Sequence, residues 1–395
     1  MKWEKVKLGD IATFSNGINF NKTAYAKGIK LIGVSNFGDR FYPDYSQLQE
    51  VKKDIVRLED CLRNGDIVFV RSNGNKELVG RCMLVKNPTE RVTYSGFCIR
   101  ARLNDTDRYD PVYFTYYFKS KAFRRAVSGT AVGANIQNLS QARLSNHECR
   151  IPSIEVQHRT ADILSVYDDL IENNQKQIKL LEEAAQRLYK EWFVDLRFPG
   201  HENTKIVDGV PEGWNEKTLS QVANVIMGQS PKSEFYNSEK KGLPFHQGVG
   251  SYGVRFVMDD IYSTSYTRIA EPNSILFSVR APVGRLNITK NKVVIGRGLA
   301  AINQTDGCQS YLYYLLKNKF FKDNIVGNGS IFASVSKDEL LNQKFLIPER
   351  NLMMQFEKIV SQMDKQIENL DSKNKKLIEA RDRLLPKLMS GEVEV

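Results

Sequence analysis

The stretch NNQKQIKLLEEAAQRLYKEWF occupies residues 173–193, near the middle of a chain of 395 residues. Almost every residue in it favours a helix, and apolar side chains recur every three or four positions. Such a pattern suits a coiled-coil arm, an amphipathic surface helix or a helical linker that holds two domains apart. The sequence on either side of the stretch narrows these three interpretations.

The same apolar spacing extends in both directions from this stretch and recurs near the C-terminus. The positions of the first seam are Ile163, Tyr167, Leu170, Asn174, Ile178, Leu181, Ala185, Leu188 and Trp192, and those of the second are Met363, Ile367, Leu370, Asn374, Leu377, Leu384 and Leu388. This spacing predicts two helices that pair with each other, each with one Asn in its seam. A seam Asn usually fixes pairing and register at some cost in stability, although a solvent-facing Asn also fits the pattern.

The whole chain repeats itself once. Four pairs of segments match in the same order: WEKVKLGDIATFSNG (3–17) with WNEKTLSQVANVIMG (214–228), GDIVFVRSNGNKELVGR (65–81) with NSILFSVRAPVGR (273–285), the segments that end at Pro152 and Pro348, and the helical stretches that begin at Ile163 and Ile359. A common order at similar separations indicates a duplication. Each copy has a first part of about 150 residues that mixes strands and helices, followed by a helical part.

The duplication predicts an α+β fold with an approximate two-fold internal repeat. We expect two similar globular domains at residues 1–154 and 201–350, and two helical regions at residues 155–200 and 351–395. The two long helices should pack antiparallel as a coiled coil. About 40 helical residues span about 60 Å at 1.5 Å per residue.

Composition favours a polyanionic partner. The net charge is +11, and neutralising phosphates releases condensed counterions, which slightly favours nucleic acid over the alternative of a merely basic soluble protein. A membrane surface is less favoured, since the sequence has no basic amphipathic helix with Trp and Phe on its apolar face. The chain has no apolar run of about 18 residues and no export signal in MKWEKVKLGDIATF, which leads us to expect a cytoplasmic protein. The five cysteines form no C-x-x-C pair and are expected to be reduced and mostly buried.

The sequence offers no convincing catalytic or metal centre. It has no Walker A loop and no G-x-S-x-G motif, and its four histidines lack metal-ligand spacing. The strongest candidate is a nuclease-like arrangement of Asp44 with Glu50 and Lys52, in which the acids would hold a metal ion. This short pattern has no counterpart in the second copy, so we do not assign it a role.

Polar loops after predicted strands are better candidates for a binding site. Arg can contact guanine through two hydrogen bonds and Asn or Gln can contact adenine in the same way, while Lys and Ser more often meet phosphates. The candidate DNA-binding residues are Arg71, Asn73, Asn75, Lys76, Arg81, Asn135, Gln137, Asn138, Lys232, Gln247, Arg280, Arg285, Ser330 and Ser334. The alternative for each loop taken alone is a solvated turn without a ligand.

With these features assembled, the chain resembles the specificity subunits of type I restriction-modification systems over essentially its whole length. The resemblance rests on the repeat and on five stretches: IMGQSPKSEFYN, LPFHQG, ILFSVRAPVGRLNI, LYKEWFVDLRFPG and RDRLLPKLMSGEVEV. The first copy departs from the pattern, since it has GINFNKTAYAKG in place of the G-Q-S-P stretch. We therefore expect its domain to read a different half-site.

The resemblance implies a non-catalytic protein that reads a split target in double-stranded DNA, one half per domain. It further implies that the helical regions set the gap and dock two methyltransferase subunits, and that motor-nuclease subunits join them. S-adenosylmethionine, ATP and Mg would then belong to those partners and not to this chain. Tyr189, Trp192 and Phe193 are unusually apolar for a helix end, so we expect them to pack where the helices meet the second globular domain, and they are also assigned to partner binding. One alternative is a self-contained nuclease or DNA-modifying enzyme, and another is an interaction protein whose coiled coil recruits partners without DNA.

Overall fold

The computed structural model describes residues 3–38, 40–74, 78–128, 138–320 and 334–395. The chain forms two compact units: unit 1 comprises Met1–Gln175 and Ser372–Val395, and unit 2 comprises Lys176–Asp371. None of the helices in the described ranges is both long and apolar enough to span a membrane. The five cysteines are all buried free thiols, as the sequence predicted.

The first half of the chain supplies the strands and short helices of unit 1. In chain order the elements are β1 (Glu4–Lys7), α1 (Leu8–Ile11), β2 (Ala12–Asn16), β3 (Tyr25–Ile32), β4 (Gln49–Val51), β5 (Ile67–Val70), β6 (Cys82–Leu84), β7 (Val92–Tyr94), β8 (Cys98–Leu103), α2 (Pro111–Lys119), α3 (Lys121–Ser128), α4 (Gln141–Ser145), β9 (Glu148–Ile151) and the long helix α5 (Ile154–Phe193).

The second half supplies the corresponding elements, which belong to unit 2 as far as Asp371. They are β10 (Ile206–Val207), β11 (Val210–Pro211), β12 (Asn215–Thr218), α6 (Leu219–Val222), β13 (Ala223–Met227), β14 (Tyr236–Asn237), β15 (Leu243–His246), β16 (Tyr262–Ser263), β17 (Ile269–Ala270), β18 (Ile275–Ser278), β19 (Leu286–Ile288), β20 (Val293–Ile295), β21 (Leu299–Gln304), α7 (Gln309–Phe320), α8 (Lys337–Leu341), β22 (Lys344–Ile347) and the long helix α9 (Arg350–Ser390).

The central sheet has the same strand order in both units. It runs β2-β8-β5-β6 in unit 1 and β13-β21-β18-β19 in unit 2, with every neighbouring pair antiparallel. The strands β5 and β18 are buried along their whole length because the apolar runs IVFV and ILFS lie in the middle of the sheet. A separate antiparallel pair joins the two ends of each globular part, β1 with β9 and β12 with β22. The predicted internal repeat is therefore confirmed.

A second sheet differs between the units. In unit 1 it has three strands in the order β4-β3-β7, and in unit 2 it has five in the order β14-β16-β15-β20-β17. Both contain one parallel pair, β3 with β7 and β15 with β20. In each unit the second strand of this pair, β7 or β20, leads directly into a strand of the central sheet, β8 or β21. The turns between these strands therefore occupy equivalent places in the two units.

In unit 1, α5 and α9 pack antiparallel. The side-chain amide of Asn174 donates to the side-chain oxygen of Asn374 at 2.8 Å, and both residues are buried. The coiled-coil interpretation predicted an Asn inside each seam, which is confirmed, and the structure adds that the two Asn residues satisfy each other. The carboxylate of Asp168 accepts hydrogen bonds from Arg381 of α9 and, at 2.6 Å, from the Tyr116 hydroxyl of α2.

The predicted seam is wrong at two positions of this part of α5. Ile163 and Leu170 are exposed, while the adjacent Leu164 and Ile171 are buried. Leu164 belongs to the core that fills the globular part of unit 1, so this end of α5 faces that core as well as α9. A straight helix of 3.6 residues per turn also drifts from a strict seven-residue repeat, which shifts the buried stripe.

In unit 2 the other parts of α5 and α9 share one hydrophobic core with the sheet. This core contains Ile178, Ala185, Tyr189 and Trp192 of α5 together with Phe356, Ile367 and Leu370 of α9. The assignment of Tyr189, Trp192 and Phe193 to partner binding is corrected here. Tyr189 and Trp192 are buried, and the ring of Phe193 packs against Phe356 and Tyr311, so these aromatic residues stabilise the chain's own fold.

Candidate nucleic-acid interface

Two of the predicted loops meet in unit 1. The chain leaves β5 at Val70, and the carbonyl oxygen of the next residue, Arg71, accepts a hydrogen bond from the Leu139 N–H at 2.8 Å. Ser72 and Asn138 form an antiparallel bridge beside it. The loop after β5 and the segment before α4 are about 70 positions apart in sequence, yet they form one surface.

The same junction recurs in unit 2. The Val335 N–H donates to the carbonyl oxygen of Val279 at 2.8 Å, and Arg280 forms an antiparallel bridge with Ser334. Arg280 therefore occupies the place that Ser72 occupies in unit 1. Two pairs of loops chosen from the sequence for polar composition thus lie side by side in both units.

A third segment joins each junction: the turn between the parallel strand and the central sheet. In unit 1 the Arg71 N–H donates to the Phe97 carbonyl at 2.8 Å, and in unit 2 the Val279 N–H donates to the Gly298 carbonyl at 2.9 Å. The guanidinium of Arg71 donates to the carbonyl oxygen of Gly96 at 3.2 Å. Arg71 thus stabilises the junction in this structure as well as supplying charge to it.

In unit 2 the junction lines a small open pocket of about 150 Å³. Gln247, Arg280 and Gly298 are among its lining residues, and the side chains of Gln247 and Arg280 are exposed. The structure therefore brings together three of the predicted residues, Gln247, Arg280 and Ser334. Exposed amide and guanidinium groups on one concave surface are suited to hydrogen bonds with base edges.

A buried histidine fixes the backbone that carries Gln247. His246 is fully buried, and its two ring nitrogens lie 2.9 Å from the Ser251 hydroxyl and 3.1 Å from the Asp259 carboxylate. The Gln247 carbonyl in turn accepts a hydrogen bond from the Gly298 N–H at 3.1 Å. Sequence analysis assigned no role to His246, and the adjacent Gln247 gave the only signal.

Arg285 lies at a neighbouring pocket of about 430 Å³ whose lining includes Glu182, Tyr313 and Lys317. Lys232, by contrast, has a side chain that is 84% exposed and pairs with Glu234 at 3.8 Å. Among the described residues, Lys232 lines neither pocket. Arg285 and Lys232 are therefore not brought to the junction itself.

In unit 1, Asn73 and Arg81 lie on the loop after β5, and both are half-buried. The Arg81 carbonyl accepts a hydrogen bond from the Val70 N–H at 2.8 Å. Five further predicted residues fall outside the described residues: Asn75, Lys76, Asn135, Gln137 and Ser330.

A buried cation ties the globular part of unit 2 to both long helices. Arg255 is 2% exposed, donates to Asp364 of α9 and, at 3.3 Å, to Glu182 of α5, and lies over the ring of Tyr313. Burial raises the pKa of the Asp364 carboxyl, and the charge of Arg255 opposes that rise. Asp168 with Arg381 and Tyr116 makes the corresponding connection in unit 1, and neither connection was predicted.

The nuclease-like acids are engaged in local structure. Asp44 accepts hydrogen bonds from Ser46 and Arg40, and Glu50 accepts one from the Gly28 N–H at 2.6 Å. The part of the chain that the structure describes contains no group of three or more His, Cys, Asp or Glu residues arranged to hold a metal ion.

Comparison with known proteins gives one consistent result. The family model for the type I restriction modification DNA specificity domain matches residues 1–183 and 211–380. A Methanocaldococcus jannaschii protein named as the type I restriction enzyme MjaX specificity subunit is 28% identical over 405 residues, covering 100% of this chain and 94% of its own. The HindI specificity subunit of Haemophilus influenzae is 24% identical over 478 residues, covering 99% of each chain.

A similar fold is seen in the crystal structure of the type I restriction-modification system S subunit from M. genitalium. The TM-score is 0.58 at 19% sequence identity, and the match covers 98% of this chain and 96% of that chain. At this identity the likeness concerns the fold alone.

Proposed function

We propose, from the premise that this chain belongs to the type I restriction-modification DNA specificity family, that it reads a bipartite DNA target, one half with each unit. In this proposal residues 1–154 and 201–350 are two target-recognition domains. Residues 155–200 and 351–395 are helical spacers that set the gap between the half-sites. The chain acts in the cytoplasm and carries no catalysis itself.

The observation that carries the proposal is the recurrence of the loop junction. The bridges Ser72–Asn138 and Arg280–Ser334 hold equivalent loops on equivalent sheets. Because the sheet order is the same, the backbone offers two similar reading surfaces. Because the side chains differ, the two surfaces favour different bases. The net charge of +11 supports a large contribution from phosphate contacts.

The duplication also supports docking of two copies of one methyltransferase subunit. Ile163 on α5 and Ile359 on α9 occupy equivalent positions in the repeat and are 37% and 42% exposed. In unit 1, Val166 and Leu170 extend the exposed apolar stripe along the same face of α5. We assign this face, instead of the buried aromatic residues, to the methyltransferase subunits. Motor-nuclease subunits join the resulting complex, and the partners bind S-adenosylmethionine, ATP and Mg.

Docking is tested by stoichiometry. Ile163→Asp should remove one methyltransferase subunit from the complex, Ile359→Asp should remove the other, and the double variant should remove both. Mass measurement of the reconstituted complex distinguishes these states. Asn173→Asp, an exposed neighbour on α5, is the control. Retention of two subunits by the double variant would place the docking surface elsewhere.

Target reading is tested by reconstituting the chain with its methyltransferase subunits and mapping methylated adenines in exposed DNA. We expect one split sequence with a fixed gap. Arg280→Ala should relax or remove specificity in only one half, at a cost of about 1–3 kcal/mol for a lost two-hydrogen-bond contact. Arg350→Ala, an exposed arginine at the start of α9, is the matched control. A single uninterrupted target would contradict the two-unit proposal.

The alternative of a self-contained enzyme is tested with the purified chain alone. The chain is incubated with DNA and Mg, with and without S-adenosylmethionine. Cleavage or methylation in the absence of any other subunit would favour the alternative. We expect neither reaction.

A further inference from the structure

The turn that contacts each loop junction carries an exposed side chain that sequence analysis did not select. In unit 1 this turn spans residues 95–98, and the ring of Phe97 is 62% exposed. An exposed phenyl group beside a polar loop junction is suited to a contact site, because aromatic rings add contact area with little loss of conformational freedom.

The backbone of this turn is held on all sides. The Cys98 N–H donates to the Ser95 carbonyl at 2.8 Å, and the Gly96 N–H donates to the Ile18 carbonyl at 2.7 Å. A Cβ atom at Gly96 would lie 2.0 Å from the side-chain oxygen of Asn19, so a larger residue here would displace that side chain. The Phe97 carbonyl accepts hydrogen bonds from the N–H groups of both Arg71 and Ser72. Phe97 is therefore presented by a preorganised turn and not by a loose loop.

Unit 2 has the same turn with different chemistry. The Leu299 N–H donates to the Gly296 carbonyl at 3.0 Å, and the tip residues are Arg297 and Gly298. The side chain of Arg297 is exposed, and the backbone N–H of Arg297 donates to the Ser230 hydroxyl at 3.2 Å. Gly298 lines the pocket that contains Arg280, which places the turn at the border of the proposed reading surface.

We propose that this turn is a base-contacting tip in both units, which presents a phenyl ring from Phe97 in unit 1 and a guanidinium from Arg297 in unit 2. The inference rests on the proposed function, since it assumes that the junctions face DNA. Phe97 has no hydrogen-bonding group, so it recognises an apolar feature of a base: a thymine methyl group or the face of a partly unstacked base. Arg297 is suited to the two acceptors of guanine.

The test uses the reconstituted complex with its methyltransferase subunits and DNA that carries the mapped target. Phe97→Ala keeps every backbone hydrogen bond of the turn, so the thermal unfolding midpoint should not change. We expect binding to the mapped target to weaken roughly tenfold or more, with an unchanged salt dependence, because no ion pair is lost. Leu58→Ala, which truncates another exposed apolar residue of unit 1, should leave binding unaltered.

Arg297→Ala should relax one base position in the other half-site only, with Arg350→Ala as its control. Two DNA probes separate the apolar features. If deoxyuridine in place of thymine weakens wild-type binding but not that of Phe97→Ala, a methyl contact is indicated. If 2-aminopurine fluorescence rises on binding of the wild type only, an unstacked base is indicated.

The two proposals fail in distinguishable ways. If the wild-type complex methylates no split target, the proposed function fails. If the wild type reads a split target and both Phe97→Ala and Arg297→Ala behave like their controls, only the assignment of the turn is overturned. A loss of methyltransferase subunits from Phe97→Ala with unchanged DNA binding would also overturn it, because the ring would then be a protein contact.

Discussion

Asn174 and Asn374 share a hydrogen bond, so their contributions to stability should be coupled, and a double-mutant cycle measures that coupling. Both amides are buried in the seam of unit 1, at 9% and 7% exposure, and they are joined at 2.8 Å. Replacing only Asn174 with Leu removes the partner of Asn374 and leaves a buried polar group unsatisfied. Replacing both creates an apolar seam position of similar volume on each helix.

The magnitudes follow from this burial. An unsatisfied buried amide costs about 1–3 kcal/mol and burying a Leu side chain offsets about 1.5 kcal/mol or more of this, so each single Asn→Leu variant should lose at most about 1.5 kcal/mol. The double variant should be neutral or more stable than the wild type. For a unit of about 200 residues, each kcal/mol corresponds to a shift of about 2–4 °C in the unfolding midpoint. Asn173→Leu, an exposed neighbour, should change stability by less than about 0.5 kcal/mol.

Urea unfolding of the full-length wild type, the two single variants and the double variant gives the coupling energy. The contribution of unit 2 is common to all four and cancels. If the double variant loses the sum of the two single losses, the amides are not coupled and the reasoning fails. A stable double variant would mean that the Asn pair costs stability, and its role would then be register. In that case the double variant should lose the fixed register of the two helices, and its mapped methylation sites should show more than one gap length.

Three further predictions concern the attachment of the globular parts and the helical spacers. Burial raises the pKa of Glu357 above its ordinary value near 4.5, so the folded state holds this proton more tightly and the free energy of unfolding falls as pH rises above that value. Glu357→Gln should reduce this fall when the free energy of unfolding is measured in urea between pH 4 and 7. An unchanged dependence on pH would exclude Glu357 as its source. Asp168→Asn removes the charge that faces the mostly buried Arg381 and should cost about 2 kcal/mol in thermal or urea unfolding, less than the 3–5 kcal/mol of a fully buried pair; no loss would mean that Arg381 relies on Asp382 instead. Inserting four residues between Tyr167 and Leu188, with a matched insertion in α9, adds about 6 Å and should lengthen the gap in mapped methylation sites by about two base pairs; altered half-site bases with an unchanged gap would contradict the spacer proposal.

The sequence predicted the duplication, the long helices and an Asn in each seam because each depends on a repeated pattern. Trp3 and Trp214 mark equivalent strands in the two copies, and the seam spacing is visible over 40 residues. The pairing of Ser72 with Asn138 was not predicted, although both loops were selected. Contacts between distant loops depend on sheet order, and a polar loop carries no periodic signal from which to read a partner.

The errors have the same origin. Tyr189 and Trp192 looked unusually apolar for a helix end, and a partner surface and an internal core produce that composition equally well. The structure identifies an internal core, because Phe356 and the central sheet of unit 2 pack with Tyr189 and Trp192. The role of Arg255 was not predicted, because one arginine between glycine, valine and aromatic residues does not reveal that two carboxylates lie next to it in the fold.

In the proposed function, the two units read different half-sites by keeping the scaffold and changing the side chains at its loops and turn. The equivalent positions are Ser72 and Arg280 on the strand-following loop, and Phe97 and Gly298 on the turn. Two backbone hydrogen bonds between these segments recur in both units, from Leu139 or Val335 and from Arg71 or Val279, so a side chain can change without disturbing the sheet beneath it. The connections to α5 and α9 also differ in chemistry, with the mostly buried Asp168 serving unit 1 and the buried Arg255 serving unit 2, yet both rest on a charged side chain. A reading surface that can vary is useful only on a support that cannot, because a shift of about 1 Å at a loop alters every base contact at once. Specificity should therefore transfer between chains with the loops and the turn together, and not with any one of these residues alone.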